Sequence, residues 1–332
     1  MNKKQEKGIL IDCGRKYWSY EDLEALLELM YRHKFNYLQL HFSDNEGLGI
    51  ECKTFPKLAS KQHLTHVEIQ NLLRVAQMRG IEIIPEFDMP GHLGHILKIY
   101  PQYRLPKGNR FDDHALNILS VEATQFIEQI LSEYMQLFKS CKKFHIGADE
   151  FINFETLADF PQLSKAAKAS YGAKASGLEL YVVFVNQIIE KLSVAGFQVR
   201  VWNDGFYRKD FYSEVELSKE VEVTFWTQWH KGMNEPETWL EQGYKIVNFN
   251  DNYLYYVLGE AAGYSYPTAD KIRSDFDLLK FSGEHEVAEC YRSQILGAYI
   301  SVWADVAEAQ TTEIILKNLA RLMPALSEKI LL

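Results

Sequence analysis

Short runs of β-branched and apolar residues alternate along this chain with longer stretches whose apolar positions recur every three to four residues. GILID (8–12) has the composition of a buried strand. Leu23, Leu26, Leu27, Met30 and Tyr31 then fall at the i, i+3, i+4, i+7, i+8 spacing of one helix face. Ser19 with Asp22 resembles a capping box that opens this helix. NYLQLHF (36–42) predicts a second strand, Thr65-x-x-Glu68 caps a helix ending at Gly80, and IEIIPEF (81–87) predicts a third strand. Ser120 opens a helix with Ile127, Ile130, Leu131, Tyr134, Leu137 and Phe138 on one face, and KFHIGA (143–148) follows as a fourth strand. A helix near 177–195 stops at Gly196. QVRVW (198–202), VEVTFW (221–226), YKIVNF (244–249) and ILGAYISVW (295–303) predict four more strands, and a last helix covers roughly 310–323.

Strands alternating with helices give a parallel sheet, and eight such units predict an α/β fold of the closed (β/α)₈ TIM-barrel type. That barrel takes about 250 residues. The excess of this 332-residue chain sits after strands two, three, four and seven. An open doubly wound sheet is the alternative, but no GxGxxG follows the first strand. No repeat and no Pro/Gly/Ser linker divides the chain, so residues 1–332 are expected to form a single catalytic barrel domain.

Composition narrows the function. The net charge of −9 argues against a nucleic-acid partner, which needs clustered Lys and Arg. No stretch reaches the length of a membrane span. The basic start MNKKQEK is not followed by the long apolar run of a signal peptide. The expected setting is cytoplasmic, or that of a catalytic domain cut from a longer exported chain. Cys13, Cys52, Cys141 and Cys290 show no CxxC and no zinc spacing, and read as reduced structural residues. The 6 Trp, 19 Tyr and 19 Phe suit a sugar-binding cleft as well as a core.

In a barrel, catalytic groups sit at the C-terminal ends of the strands. Here strand one ends in Asp12 with Arg15 after it, and strand two runs into His41 and Asp44. Strand three ends in Glu86, Asp88 and, beyond Pro90-Gly91, His92, while strand four ends in Asp149-Glu150. Trp202-Asn203-Asp204, Trp226, then Asn250, Asp251 and Tyr253, and finally Trp303 with Asp305 close strands five to eight. Acids and aromatics recurring at one end of nearly every strand mark a site rather than scattered caps. With no lysine or cysteine nucleophile among them, they suit glycoside hydrolysis, which needs a general acid and a second group to meet oxocarbenium-like charge.

Retaining glycosidases of the usual kind hold two carboxyls about 5–5.5 Å apart. Asp149 and Glu150 are neighbours, and neighbouring side chains of an extended chain point to opposite faces. Either the nucleophile comes from another strand (Asp88, Asp204 or Asp305), or the substrate supplies its own. A 2-acetamido sugar can do the latter: its carbonyl oxygen attacks the anomeric carbon and forms an oxazolinium ion. The neighbouring carboxylate would then hold the amide N–H.

These residues resemble glycoside hydrolase family 20, the β-N-acetylhexosaminidases, over almost the whole chain. HIGADE (145–150) resembles that family's His-x-Gly-Gly-Asp-Glu signature, with Ala148 in place of a glycine. PEFDMPGH (85–92), ILIDCGRKYW, HFSDNEG (41–47), WND (202–204), FW (225–226), YLY (253–255) and SVWAD (301–305) follow in the family's order. The resemblance implies a retaining exo-enzyme that removes terminal β-linked GlcNAc or GalNAc from glycans, with no metal or organic cofactor. It implies Glu150 as general acid and then base, Asp149 as the group orienting the acetamido, and Tyr253 as donor to its carbonyl. Trp202, Trp226 and Trp303 would wall the pocket, Arg15 and Asp305 would bind ring hydroxyls, and His92 with Asp44 would form a relay toward Glu150.

Leu48, Tyr255 and Asp305 depart from the family's common Trp, Asp and Glu, which bears on the GlcNAc-versus-GalNAc preference and resembles the Gram-positive bacterial branch. A family 18 chitinase would need alternating acids on strand four, where His145 and Gly147 stand. A non-catalytic sugar-binding barrel would not need both Asp149 and Glu150. A lacto-N-biosidase-like enzyme releasing disaccharides would need an open second sugar site. A metal reading of His92 and His95 is set aside because Pro90-Gly91 breaks the helix it requires. His145 reads as a core histidine, and Trp229 and Trp239 as packing residues.

Overall fold

The computed structural model describes residues 5–330. Its centre is a closed barrel of eight parallel strands: Glu6–Asp12, Tyr37–His41, Glu82–Met89, Lys143–Gly147, Gln198–Trp202, Glu222–Phe225, Lys245–Asn248 and Ile295–Trp303. The first strand pairs with the second and, through Glu6↔Gly297 to Ile11↔Val302, with the eighth, which closes the ring. These are the eight strands expected from the sequence.

Alternation along each strand separates two cores. Side chains of a strand point to opposite faces, so one set enters the barrel and the other faces the helices. The outward set (Ile9 and Ile11, Leu38 and Leu40, Phe144 and Ile146, Val199 and Val201) joins the helix stripes in one large cluster. The inward apolar set is small, with Leu10, Ile84, Trp202, Val247, Phe249 and Tyr299. Much of the remaining interior is polar. Near the strands' N-terminal ends, Arg200 is fully buried and bonds to Glu6 (2.7 Å), Glu222 (2.7 Å) and the Tyr299 hydroxyl (2.9 Å). Buried cations need such partners.

The surrounding helices begin where their caps predicted. Ser19 Oγ accepts from the Asp22 N–H while the Asp22 carboxylate accepts from the Ser19 N–H, and Thr65 and Glu68 repeat the exchange. Ser120 caps Val121–Leu137. The last helix, Thr312–Ile330, runs through Pro324 beyond its expected end, because Leu319, Leu322, Met323, Leu326 and Ile330 continue its buried stripe. All four cysteines are free; Cys13 and Cys52 are buried and Cys290 is exposed. Among the described residues, no helix is long and apolar enough to cross a membrane.

Two elements near the mouth were not anticipated. Arg104–Lys107 and Arg110–Leu116 form an antiparallel hairpin around Gly108-Asn109. Gly108 has φ +55°, the left-handed conformation that glycine adopts without a Cβ clash. The seventh strand also does not end the contribution of its segment. After Asn248 the chain makes a helical turn, Asp251–Leu254, and then resumes as Tyr255–Val257 beside the eighth strand, with Tyr255↔Ser301 and Val257↔Trp303 in register.

Candidate active site

The C-terminal ends of the strands surround a cavity of about 190 Å³. Arg15, Asp44, His92, Asp149, Glu150, Trp202, Trp226, Trp303 and Asp305 all line it, as the sequence placed them. Tyr253 does not. It belongs to the helical turn that interrupts the seventh segment, and its hydroxyl donates to Glu284 at 2.5 Å. The turn shifts the inward position by two residues, so Tyr255 lines the cavity in its stead. Tyr255 stacks with Trp226 (6.0 Å between centroids, planes 1° apart) and meets Trp303 at 5.9 Å.

The indoles are held by acids below them. Trp202 Nε1 donates to Glu86 at 2.9 Å and Trp226 Nε1 donates to Asp204 at 3.0 Å. Trp303 lies edge-on to His41 (5.2 Å) and beneath the Arg15 guanidinium (5.8 Å). Arg15 is itself clamped by Asp12 and Asp44, each at 2.9 Å. Burial works against its charge, but the two carboxylates outweigh that and hold it firmly protonated. Trp239 is 1% exposed and packs in the core, as expected. Trp229 is not the packing residue anticipated: it is 52% exposed and lines the cavity rim, stacked on Tyr264.

Asp149 and Glu150 follow the fourth strand through a sharply turned backbone. Gly147, Ala148 and Glu150 have φ of +66°, +64° and +43°. A Cβ at Gly147 would overlap the Asp88 carboxyl, so this glycine lets strands three and four approach. Ala148 accepts the strain of a left-handed conformation, and its N–H donates to Asp88 Oδ1 at 3.2 Å. Extended neighbours would have pointed apart. Here the turn brings both carboxylates to one nitrogen: His92 Nε2 is 3.5 Å from Asp149 Oδ2 and 3.3 Å from Glu150 Oε2.

Behind His92 runs a line of alternating charge. His92 Nδ1 meets Asp44 Oδ1 at 3.3 Å, Asp44 Oδ2 meets His41 Nε2 at 2.9 Å, and His41 Nδ1 meets Glu86 Oε1 at 3.2 Å. Burial disfavours every charge in it, but the neighbours prevail. Asp149 and Asp44 hold His92 well above its ordinary value, and Glu86 and Asp44 do the same for His41. Asp44 is held well below the usual carboxylate range by His92 and His41. His145 and His41 bring Glu86 down to about 2. His145, hydrogen-bonded to Thr224 at 2.8 Å, is itself pushed down to about 4 by burial, which fits a neutral core histidine.

The remaining acids are pushed the other way. Burial and the charge of Asp149 push Asp88 well above the ordinary carboxylate range. Burial, Asp149 and Glu150 raise Asp204 to about 7. Burial raises Asp149, with His92 opposing. The hydrogen bond from His92 lowers Glu150, whose side chain is 51% exposed. Two groups have the spacing of a cation site, with ligand atoms within 4.8 Å: Asp88–His92–Asp149 and His41–Glu86–Asp88. In both, the histidine nitrogens face carboxylates: His92 meets Asp44 and Asp149, and His41 meets Asp44 and Glu86.

Comparison with known proteins agrees with this geometry. A family model described as the glycosyl hydrolase family 20 catalytic domain matches residues 6–328. A lacto-N-biosidase of Bifidobacterium bifidum is 26% identical over 93% of the chain, which spans 27% of that protein. A β-hexosaminidase subunit beta of Rattus norvegicus is 30% identical over 66% of the chain, which spans 41% of it. The chain thus spans less than half of either relative. Among solved structures, dispersin B superposes with a TM-score of 0.78 at 23% identity, covering 98% of this chain and 99% of that one. A Vibrio harveyi exo-β-N-acetylglucosaminidase in complex with N-acetylglucosamine superposes at 0.77 and 22% identity, covering 97% of this chain and 54% of that one. At these identities the superpositions speak to the barrel fold. The turned Asp149-Glu150 pair at the barrel mouth, matched along its length by the family model, makes this chain a member of glycosyl hydrolase family 20.

Proposed function

We propose that the chain is a retaining exo-β-N-acetylhexosaminidase that removes terminal β-linked GlcNAc, GalNAc or both, with the substrate's acetamido group as nucleophile. One observation carries the mechanism: the protein carboxyls that could attack the sugar are already committed. Asp88 is fully buried beside Asp149, and burial with that neighbouring charge favours its protonated form. Asp204 accepts from the Glu150 N–H and the Trp226 indole, both at 3.0 Å. Asp149 lies between the Asp88 carboxyl and His92, 3.5 Å from His92 Nε2. A carboxylate so held is suited to accepting the amide N–H of an acetamido group and aiming its carbonyl oxygen at the anomeric carbon. Asp305, near the Arg15 charge at the rim, is suited to ring hydroxyls instead.

Glu150 is the proton donor in this reading. In the free enzyme His92 favours its ionised form. A bound sugar covers this half-exposed side chain, and loss of water raises its proton affinity toward that of a general acid. After the leaving group departs, the same carboxylate takes a proton from water, which opens the oxazolinium ion. Tyr255, buried beside Trp226 and Trp303, is the hydroxyl placed to meet the acetamido carbonyl. Arg15 with Asp305 binds ring hydroxyls at the rim.

The test is hydrolysis of a β-GlcNAc glycoside followed by proton NMR. The β-anomer should appear first, and a thiazoline mimic of the oxazolinium ion should inhibit tightly. Appearance of the α-anomer first would exclude the mechanism. The similarity to a lacto-N-biosidase supports a second reading, release of a disaccharide. Activity on lacto-N-biose glycosides, and none on GlcNAc or GalNAc glycosides, would select it.

A further inference from the structure

Asp204 stands just beyond the fifth strand and is almost fully buried. Its Oδ2 accepts the main-chain N–H of Glu150 at 3.0 Å, and its Oδ1 accepts the indole N–H of Trp226 at 3.0 Å. Glu150 is the proton donor of the reading above, and Trp226 is a wall of the sugar pocket. From this geometry we propose that Asp204 is a positioning residue for the reaction, one carboxylate that holds the proton donor and the pocket wall in a common frame. It acts through these two neighbours and not on the sugar. The proposal rests on the hexosaminidase reading given above.

Glu150 needs such a hold. Its φ is +43°, a left-handed conformation that costs energy in a residue with a Cβ. Backbone of this kind persists where the surroundings fix it. Asp88 accepts the Ala148 N–H, the Tyr181 hydroxyl donates to the Ala148 carbonyl, and Asp204 accepts the Glu150 N–H. The last of these bonds acts on Glu150 itself. The Glu150 side chain is half-exposed and meets His92 at 3.3 Å, so packing around the carboxyl is open and the main chain supplies the firm anchor.

Trp226 is fastened by the residues that follow the fifth strand. Asn203 Oδ1 accepts the Trp226 main-chain N–H (2.9 Å) and Asn203 Nδ2 donates to the Thr227 carbonyl (2.8 Å), while Asp204 takes the indole. Arg208 reaches the main-chain carbonyl of Asp204 at 3.5 Å, and Asp210 takes its charge. Both carboxylate oxygens of Asp204 thus face donors, which favour its ionised form. Burial and the charges of Asp149 and Glu150 oppose them and raise it to about 7. The two bonds therefore support each other. Without the indole N–H the carboxylate is less stabilised, takes up a proton more readily, and gives up part of its bond to Glu150.

The experiment measures kcat/KM, which reports the steps up to departure of the leaving group. Methyl β-GlcNAc needs a proton on its leaving group, and dinitrophenyl β-GlcNAc does not. Both carry the same sugar, so the methyl-to-dinitrophenyl ratio reports the proton donor apart from the pocket. In Asp204→Asn the ratio should fall about tenfold, short of the roughly 100-fold that a 1 Å misplacement can cost. Trp226→Phe keeps a ring and removes the N–H, and there the ratio should fall about threefold although the change lies on the pocket side. An unchanged ratio in either folded variant, including an equal loss on both substrates, would overturn the role and leave the hexosaminidase reading intact. If Asp204→Asn does not fold, Trp226→Phe decides alone. A wild-type protein inactive on both glycosides would overturn that reading and this inference together.

Discussion

Asp44 Oδ1 lies 3.3 Å from Nδ1 of His92, whose other nitrogen is 3.3 Å from Glu150. Asp44 thereby sustains the charge that lowers Glu150. In Asp44→Asn the His92 imidazolium loses one of the carboxylates that hold it, and its pKa falls. The positive charge beside Glu150 then disappears at lower pH, and Glu150 becomes harder to ionise. The limb of the kcat/KM–pH profile that reports Glu150 should move to higher pH, and a profile recorded from pH 4 to 9 measures it. An unmoved limb would remove His92 and Asp44 from the control of Glu150.

Glu150 and Asp149 should separate by leaving group. Glu150→Gln is expected to cost about 10²–10⁴ in kcat on a poor leaving group such as a sugar. It should cost much less on a dinitrophenyl glycoside, which departs without a proton. Asp149→Asn should be damaging on both, because positioning of the acetamido group is needed whatever leaves. Equal leaving-group dependence in the two variants would contradict the division of roles.

Tyr255→Phe removes the hydroxyl assigned to the acetamido carbonyl and should lower kcat/KM about 100-fold, the scale of one lost oxyanion donor. Tyr253→Phe removes a hydroxyl that bonds Glu284 away from the cavity and should leave kcat/KM within about twofold, with a stability loss of about 1 kcal/mol. Parallel kinetics of the two variants decide between the positions.

Glu86 accepts from Gln39 at 2.7 Å and Trp202 at 2.9 Å and also meets His41 at 3.2 Å, all of it buried. Glu86→Gln leaves the His41 charge to Asp44 alone and should cost about 1–3 kcal/mol in denaturant unfolding near neutrality. The sign with pH follows from a folded pKa of about 2, below the ordinary value. The carboxylate's contribution is present above about pH 4.5 and is lost as pH falls toward 2. The gap between wild type and variant should therefore narrow in acid.

The barrel was legible in the sequence because each strand is a short apolar run and the long helices carry apolar stripes, three of them opened by the caps Ser19, Thr65 and Ser120. The acids and tryptophans at the strand ends were legible for the same reason, since their positions follow once the strands are placed. Tyr253 took its role from the YLY motif of the family resemblance, whereas Tyr255 is the residue that lines the cavity. Nothing in NDNYLYY alone distinguishes a helical turn from an extended end, and the two-residue shift to Tyr255 arises from pairing with the distant Ser301 and Trp303. The hairpin at 104–116 did leave a signal, the Gly108-Asn109 turn. The convergence of Asp149 and Glu150 depends on left-handed backbone at Ala148 and Glu150, residue types that do not advertise it. The bridge that Asp204 makes between Glu150 and Trp226 exists only in three dimensions.

The division of each strand between an inward polar face and an outward apolar face makes the barrel sensitive to length in a way it is not to side-chain size. Deleting one residue from the third strand would exchange the Glu86 and Asp88 positions for those of Pro85 and Phe87, putting aromatic bulk where the charged line runs and carboxylates under the helices. A scan of deletions and point changes across Glu82–Met89 should therefore show two superimposed patterns. Substitutions at the outward positions would cost folding alone and those at Glu86 and Asp88 would cost catalysis as well, while any deletion would disturb both faces at once.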